Sequence, residues 1–243
     1  MKILAIIPSR FASTRFPGKP LIKIDGMTMI QRVYEQAKKA SSLTDVVVAT
    51  DDAQIFNHVI SFGGNVVMTS SSHQSGTDRC AEVVEKSKTS YDVVLNVQGD
   101  EPFINPEQIN ELAACFKDPK TEIATLVKSI KTAEELFNPN RPKVHFDANN
   151  FAIMFSRNVI PELPNIKKEN WMDEHTFYKH IGIYGYRTEV LTQLSVLAQS
   201  PLEIKERLEQ LRWLENDYAI KIATTEYEAV AIDTPEDLER LLK

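Results

Sequence analysis

The chain has 243 residues, of which 42% are hydrophobic and 26% charged, so it can bury a sizeable core and has the balance of an ordinary globular protein. A formal net charge of −6 argues against broad nucleic-acid binding, and no apolar run is long enough for a membrane span. The two cysteines, Cys80 and Cys115, lack disulfide or metal spacing, and the N-terminal apolar stretch is too short for a signal peptide, so a cytoplasmic protein with free thiols is expected.

The run Ile3 to Ile7 predicts a buried strand, with Pro8 ending its ladder for want of an N–H. The loop that follows, to Leu21, gathers Arg10, Arg15 and Lys19 with the hydroxyls of Ser9, Ser13 and Thr14 and the pair Pro17-Gly18. Leaving the C-terminal end of a strand, such a loop suits a polyphosphate; a solvated basic connector is the alternative. It is neither a Walker A loop nor a Gly-x-Gly-x-x-Gly turn.

Thr28 to Ala40 has the spacing of a core-facing helix, Asp45 to Thr50 that of a second strand, and Asp51-Asp52 can cap the helix Ala53 to Phe62 that Gly63-Gly64 stops. With a third strand at Asn65 to Thr69 the pattern is βαβαβ, which predicts a Rossmann-like doubly wound α/β fold with a mostly parallel sheet. The polar stretch Ser70 to Arg79 leads into a helix starting near Thr77 or Asp78. It reads either as a cap with its lead-in or as a binding loop, with Gly76 allowing close approach and Arg79 able to donate to carbonyl groups.

A strand at Tyr91 to Val97 runs into Gln98-Gly99-Asp100-Glu101-Pro102. A carboxylate just past a central strand, beside a glycine, can hold Mg²⁺ against phosphates, which makes Asp100 the first candidate metal ligand; a turn aspartate is the alternative. Pro106 to Phe116 follows as a helix capped by Asn105.

The alternation then changes. Ala124 to Val127, Lys143 to Phe146 and Phe151 to Phe155 read as strands, with Asn149-Asn150 as a hairpin turn, and Lys179 to Tyr186 as another. We therefore expect one domain over residues 1–243, with an antiparallel insertion around 122–186. Period-two alternation puts His180, Gly182, Tyr184 and Tyr186 on one face; a strand histidine is as readily structural as functional. Pro161 to Phe177, with its prolines and charges, reads as a mobile surface loop, and Pro201 to Asn216 as one long amphipathic helix with Leu202, Ile204, Leu208, Leu211 and Leu214 buried. After a last strand at Ala219 to Ala223, Thr234 and Pro235 start a helix and leave Asp233 just before the cap.

The segment Ile7-Pro8-Ser9-Arg10-Phe11-Ala12-Ser13-Thr14-Arg15-Phe16-Pro17-Gly18-Lys19-Pro20-Leu21 resembles the N-terminal signature of the sugar-acid cytidylyltransferases. Together with Ser75-Gly76-Thr77-Asp78-Arg79, Leu208-Glu209-Gln210-Leu211-Arg212 and Asp233-Thr234-Pro235-Glu236-Asp237, in that order, it is most similar to the 3-deoxy-manno-octulosonate (Kdo) cytidylyltransferase, or CMP-Kdo synthetase, family. The chain departs from the family pattern at Arg141-Pro142, at Ile153-Met154 and at Ala231, none of them a proposed ligand.

The resemblance implies a nucleotidyltransferase that moves CMP from CTP to the anomeric hydroxyl of Kdo for lipopolysaccharide synthesis. It implies Mg²⁺ as cofactor, held by Asp100 and Asp233; the antiparallel insertion makes a homodimer the expected state, and the charge and the short apolar runs argue against nucleic-acid and membrane partners. Arg10, Arg15 and Lys19 would neutralise the triphosphate, with Lys19 on the leaving pyrophosphate. Pro8, Ser9, Ser13, Ser75, Gly76, Thr77, Arg79 and Gln98 would line the nucleotide; Gln98, Arg157, His180, Tyr184, Glu209 and Gln210 the sugar, with Arg157 and His180 suited to its negative charge. A related ulosonic acid such as 8-amino-Kdo, or a non-catalytic nucleotide-binding module, are the alternatives.

Overall fold

The first strand, β1 (Ile3–Ser9), runs two residues further than the sequence predicts, straight through Pro8. In a strand successive backbone groups face opposite neighbours. The carbonyl of Ile3 accepts from Thr44 beside one neighbouring strand, whereas the carbonyl of Ile6 accepts from Val97 beside the other, so Pro8 turns its missing N–H to the second side. There the pairing has already stopped, at Ile6 and Asn96, while on the first side it continues to Ser9 and Thr50. A proline costs nothing in a ladder that has ended on its own side.

The computed structural model describes residues 1–11, 16–228, 231–232 and 234–241. Its further strands are β2 (Lys23–Ile24), β3 (Met27–Thr28), β4 (Asp45–Thr50), β5 (Val66–Met68), β6 (Val93–Asn96), β7 (Ile123–Ser129), β8 (Lys143–Phe146), β9 (Ala152–Ser156), β10 (Tyr178–Arg187) and β11 (Ile220–Thr224). The helices are α1 (Met29–Ala37), α2 (Ala53–Ser61), α3 (Gly76–Lys86), α4 (Pro106–Ala114), α5 (Ala133–Phe137), α6 (Trp171–Glu174), α7 (Thr188–Leu194), α8 (Pro201–Glu206), α9 (Gln210–Glu215) and α10 (Pro235–Leu241).

The main sheet has the order β11-β7-β10-β6-β1-β4-β5. Pairing is parallel between β5, β4, β1 and β6 and between β7 and β11, whereas β10 is antiparallel to both β6 and β7. Along this path β10 alone is therefore reversed. The expected mostly parallel, doubly wound α/β sheet is the one found, with α1, α2 and α4 packing on one face through Ile30, Val33, Ile55, Val59, Ile109 and Leu112. On the other face α3, α7 and α9 pack through Cys80, Val83, Leu191, Leu194, Leu211 and Trp213. Because β4 lies on one side of β1 and β6 on the other, the strand order reverses at β1, and the crevice past the ends of β1 and β6 is the topological switch point.

Several expectations need correction. Asp52 alone caps α2, accepting from Gln54 and Ile55, while Asp51 pairs with Arg79. The strands β7 and β10 belong to the main sheet, and only the hairpin β8–β9 leaves its path. Residues 161–177 are not loose: Trp171 and Phe177 bury themselves with Ile130 and Leu136, and the Trp171 indole donates to the carbonyl of Ile166 at 2.9 Å.

The long helix over 201–216 is two short ones, because Arg207 takes the left-handed conformation (φ 56°) and ends α8. Ile204 is left exposed, and Leu208 and Leu211 are the buried members of the stripe. The carbonyls released at the break are taken by Arg157, whose Nε donates to Glu206 O at 2.7 Å.

The turn after β6 fixes the crevice. Gly99 lies flat on β1: a Cβ there would stand 2.7 Å from the carbonyl oxygen of Pro8. The carbonyl of Asp100 accepts from Ile232, which docks the C-terminal segment on this turn, and Glu101 is buried beneath it. Burial first, and the charge of Asp100 second, push the Glu101 carboxyl up to about 8.

Two outcomes follow for this turn. Gly99→Ala forces backbone apart from backbone and should destabilise the protein by about 1–3 kcal/mol, read as a lowered midpoint in denaturant. Glu101 stays protonated in the folded chain but ionises near pH ~4.3 when unfolded. Folding then takes up a proton, and stability is lost as pH rises from ~4.3 towards 8. Glu101→Gln should remove that loss, so its melting temperature should match wild type near pH 5 and exceed it by several degrees near pH 8.

Candidate active site

Lys19 opens a 3₁₀ turn (Lys19–Leu21) that Gly18 can start because it holds φ 72°, and Pro20 suits because its missing N–H falls in the first turn. Gly18 N–H donates to Phe11 O at 3.0 Å. Lys19 Nζ reaches Asp100 Oδ2 at 2.9 Å across the ends of β1 and β6, with the lysine almost buried and the carboxylate 29% exposed. Arg10 follows β1 and is exposed at the same edge, and Ser9 is buried beside it. Ser13, Arg15 and Asp233 lie outside the described residues.

The N-terminus of α3 comes to the same edge. Ser75 caps it, its Oγ accepting from Asp78 N at 3.1 Å while the Asp78 carboxylate accepts from Ser75 N at 3.2 Å. Gly76 packs on the crevice wall, where a Cβ would meet Asn96 Nδ2 at 3.1 Å and Pro8 Cγ at 3.5 Å. Thr77 is buried below. Arg79 is turned inward: its guanidinium donates to Thr69 and, at 3.0 Å, to Asp51, tying α3 to the ends of β4 and β5.

The reversed strand supplies the neighbouring wall. Tyr184 sits opposite Asn96, so the residues before it project past the end of β6, and Gly182 lies against Gln98. As the alternation predicts, His180, Tyr184 and Tyr186 share a face: the rings of His180 and Tyr184 are 5.1 Å apart and those of Tyr184 and Tyr186 6.3 Å. Tyr184 meets Trp213 edge-on at 5.0 Å.

Burial takes the His180 imidazole down to about 3, so it is neutral at physiological pH. In this state the ring is a neutral hydrogen-bonding group.

Glu209, just before α9, joins the two walls. Burial raises its carboxyl, and the hydroxyls of Ser75 and Thr77 and the charge of Arg212 offset part of that rise. Its own charge in turn adds to burial in raising Tyr184 and Tyr186. With Ser75, Gln74, Arg207 and Arg212 it lines a cleft of about 410 Å³, and Gln210 is buried beside it. Arg212 is held by both Glu203 oxygens at 2.6 and 2.8 Å.

Arg157 does not join this group. Its guanidinium donates to the carbonyls of Glu206, Pro139 and Arg207 and lines another cleft, of about 510 Å³, with Trp171, Phe137 and Lys168.

Sequence reasoning missed Asn96, the one polar residue inside the β6 pairing, and Thr125 on β7, whose hydroxyl lies 2.9 Å from His180 Nε2. A polar residue in an apolar strand run is the signal that could have found both.

The crevice thus has a cation and a carboxylate at the switch point, a capped helix N-terminus beside them and a neutral, aromatic-lined wall next to it. This is an arrangement for holding an anionic nucleotide against a second, hydroxyl-bearing substrate.

Comparison with known proteins agrees. The cytidylyltransferase family profile matches residues 4–222. A Parabacteroides distasonis protein named 3-deoxy-manno-octulosonate cytidylyltransferase is 56% identical over 100% of this chain and 97% of its own length. One of the same name from Bacteroides thetaiotaomicron is 56% identical over 98% of this chain and 96% of its own. The solved structure of a CMP:2-keto-3-deoxy-manno-octonic acid synthetase complexed with CTP superposes with a TM-score of 0.91 at 38% identity, covering 100% of this chain and 97% of that one. Matched along its whole length in sequence and fold, the chain belongs to the 3-deoxy-manno-octulosonate cytidylyltransferase family.

Proposed function

We propose that the protein transfers CMP from CTP to the anomeric hydroxyl of Kdo, releasing pyrophosphate and yielding CMP-Kdo for lipopolysaccharide synthesis. The observation that carries this reading is the Lys19–Asp100 pair across the switch point, beside the capped start of α3. The sugar hydroxyl attacks the α-phosphorus, the bond to the β-phosphate breaks, and the hydroxyl proton is lost to solvent. In such in-line displacement catalysis comes from positioning and charge neutralisation.

Lys19 and Arg10, with Arg15, would neutralise the triphosphate, Lys19 being best placed for the charge that develops on pyrophosphate. The N–H groups at the start of α3, held in place by the Ser75–Asp78 box, favour an anion. His180, Tyr184, Glu209 and Gln210 would orient the sugar through hydrogen bonds. Arg157, whose guanidinium is taken by the carbonyls of Glu206, Pro139 and Arg207, stands apart from that set.

Asp100 offers a hard, partly exposed oxygen donor, which fits Mg²⁺, an ion usually held by one or two carboxylates together with substrate phosphates. Asp100 and Asp233 would hold it. Bound there, it would supply Lewis-acid stabilisation of the α-phosphate and lower the pKa of the attacking hydroxyl.

Because CTP is a cytosolic metabolite, the proposed location is the cytoplasm; no helix among the described residues is long and apolar enough to cross a membrane. A homodimer is proposed as well, supported by the exposed apolar side chains of Phe137 and Ile153 around the β8–β9 hairpin. Light scattering should return about twice the chain mass of 27.6 kDa, and a single-chain mass would remove the dimer.

The activity is tested by pyrophosphate release from CTP and Mg²⁺. Release should require Kdo, and Asp100→Asn and Lys19→Met should each lower kcat/KM by roughly 10²–10³-fold with the fold intact by circular dichroism. Release with 8-amino-Kdo but not Kdo would move the substrate to that acid. CTP binding without release on either sugar would leave a nucleotide-binding module.

A further inference from the structure

β10 does not pair regularly with β7. Its register slips between Ile181, opposite Leu126, and Tyr184, opposite Thr125, so Gly182 and Ile183 have no partners of their own in that ladder. A bulge turns backbone groups out of the ladder, and these must find other partners. Here they find one side chain. Thr125 Oγ1, fully buried, lies 2.7 Å from the carbonyl oxygen of Ile183, 3.3 Å from that of Ile181 and 2.9 Å from His180 Nε2.

The hydroxyl has a single hydrogen, and carbonyl oxygens can only accept. The Ile183 carbonyl at 2.7 Å takes that hydrogen; directing it to the imidazole instead would set two carbonyl lone pairs against those of the hydroxyl. The contact with His180 then needs a hydrogen from the ring, so Nε2 carries the N–H and donates to Thr125. The ring is neutral, which leaves Nδ1 as a bare acceptor. Phe155 meets the ring edge-on at 5.3 Å and Tyr184 flanks it at 5.1 Å, so it is held on two further sides.

The geometry points to Thr125 as a positioning residue for the reaction: by locking the bulge and the Nε2–H tautomer, it makes His180 present Nδ1 as the acceptor for a hydroxyl of the sugar. This rests on the reading of His180 as part of the sugar site. It separates two duties in that site, since His180 accepts from a hydroxyl and takes no part in binding the carboxylate.

The test joins a spectrum to kinetics. In ¹⁵N-labelled protein, with the His180 signal assigned by its loss in His180→Gln, wild type should show the Nε2–H tautomer and no imidazolium between pH 5 and 8. Thr125→Val, which keeps shape but removes the hydroxyl, should lose that tautomer and raise KM for Kdo about tenfold, the scale of one neutral hydrogen bond, with KM for CTP unchanged. Thr125→Ser should restore both.

An Nδ1–H tautomer in wild type, or a Thr125→Val enzyme with unaltered KM for Kdo, overturns the positioning role alone. His180→Gln with unaltered KM for Kdo overturns the sugar-site reading itself, and the positioning role with it. The wild-type spectrum decides the tautomer even where the valine variant does not fold.

Discussion

The approach of Gly99 to the carbonyl of Pro8 is the constraint on which the rest of the site depends. β1 and β6 are parallel neighbours in the sheet, yet their pairing stops at Ile6 and Asn96, and beyond that point the two chains must diverge to make a crevice. They diverge late. With no side chain between them, the turn after β6 stays against β1, and Asp100 emerges within reach of Lys19, 81 residues away in sequence. Pro8 contributes from the other strand: it has no N–H to leave unpaired on the side where β6 is gone.

The charges at this edge are arranged for exchange. A nearly buried lysine beside a partly exposed carboxylate has its desolvation offset only while a negative partner stays close. Asp100 is one such partner in this structure, and on the proposed function a polyphosphate would offer Lys19 a stronger one. The salt bridge holds the lysine in place at the edge of the crevice.

Most of the sheet was legible because strands buried on both faces read as unbroken apolar runs, as at Ile3 to Ile7 and Val93 to Leu95. Direction was not. Period-two alternation put His180 and Tyr184 on one face correctly, but alternation is the same for a strand running either way, so the reversal of β10 could come only from its partners. The break at Arg207 was equally hidden: helical spacing continues through Leu208 and Leu211, and the left-handed residue is held by Arg157 from a distant strand taking the freed carbonyls. The hairpin β2–β3, by contrast, announces itself in Asp25-Gly26, both at positive φ. In the site, residue types were readable and charge states were not, since burial of His180 is a property of the packed face.

The reversal of β10 explains why two such different surfaces meet at one crevice. A parallel strand at that place in the sheet would bring its C-terminal end to the edge and then leave through a loop. Running the other way, β10 enters from beyond the edge, so that the stretch from Tyr178 to Ile183 overhangs the turn at Gln98 before joining β6 at Tyr184. Its side chains come from a pleated strand paired with β7. Loops that carry cations suit phosphates, whose charge tolerates some freedom in the donor, whereas discrimination among sugar hydroxyls needs fixed neutral groups. On the proposed function, phosphate recognition falls to residues that follow β1 and sugar recognition to the reversed strand.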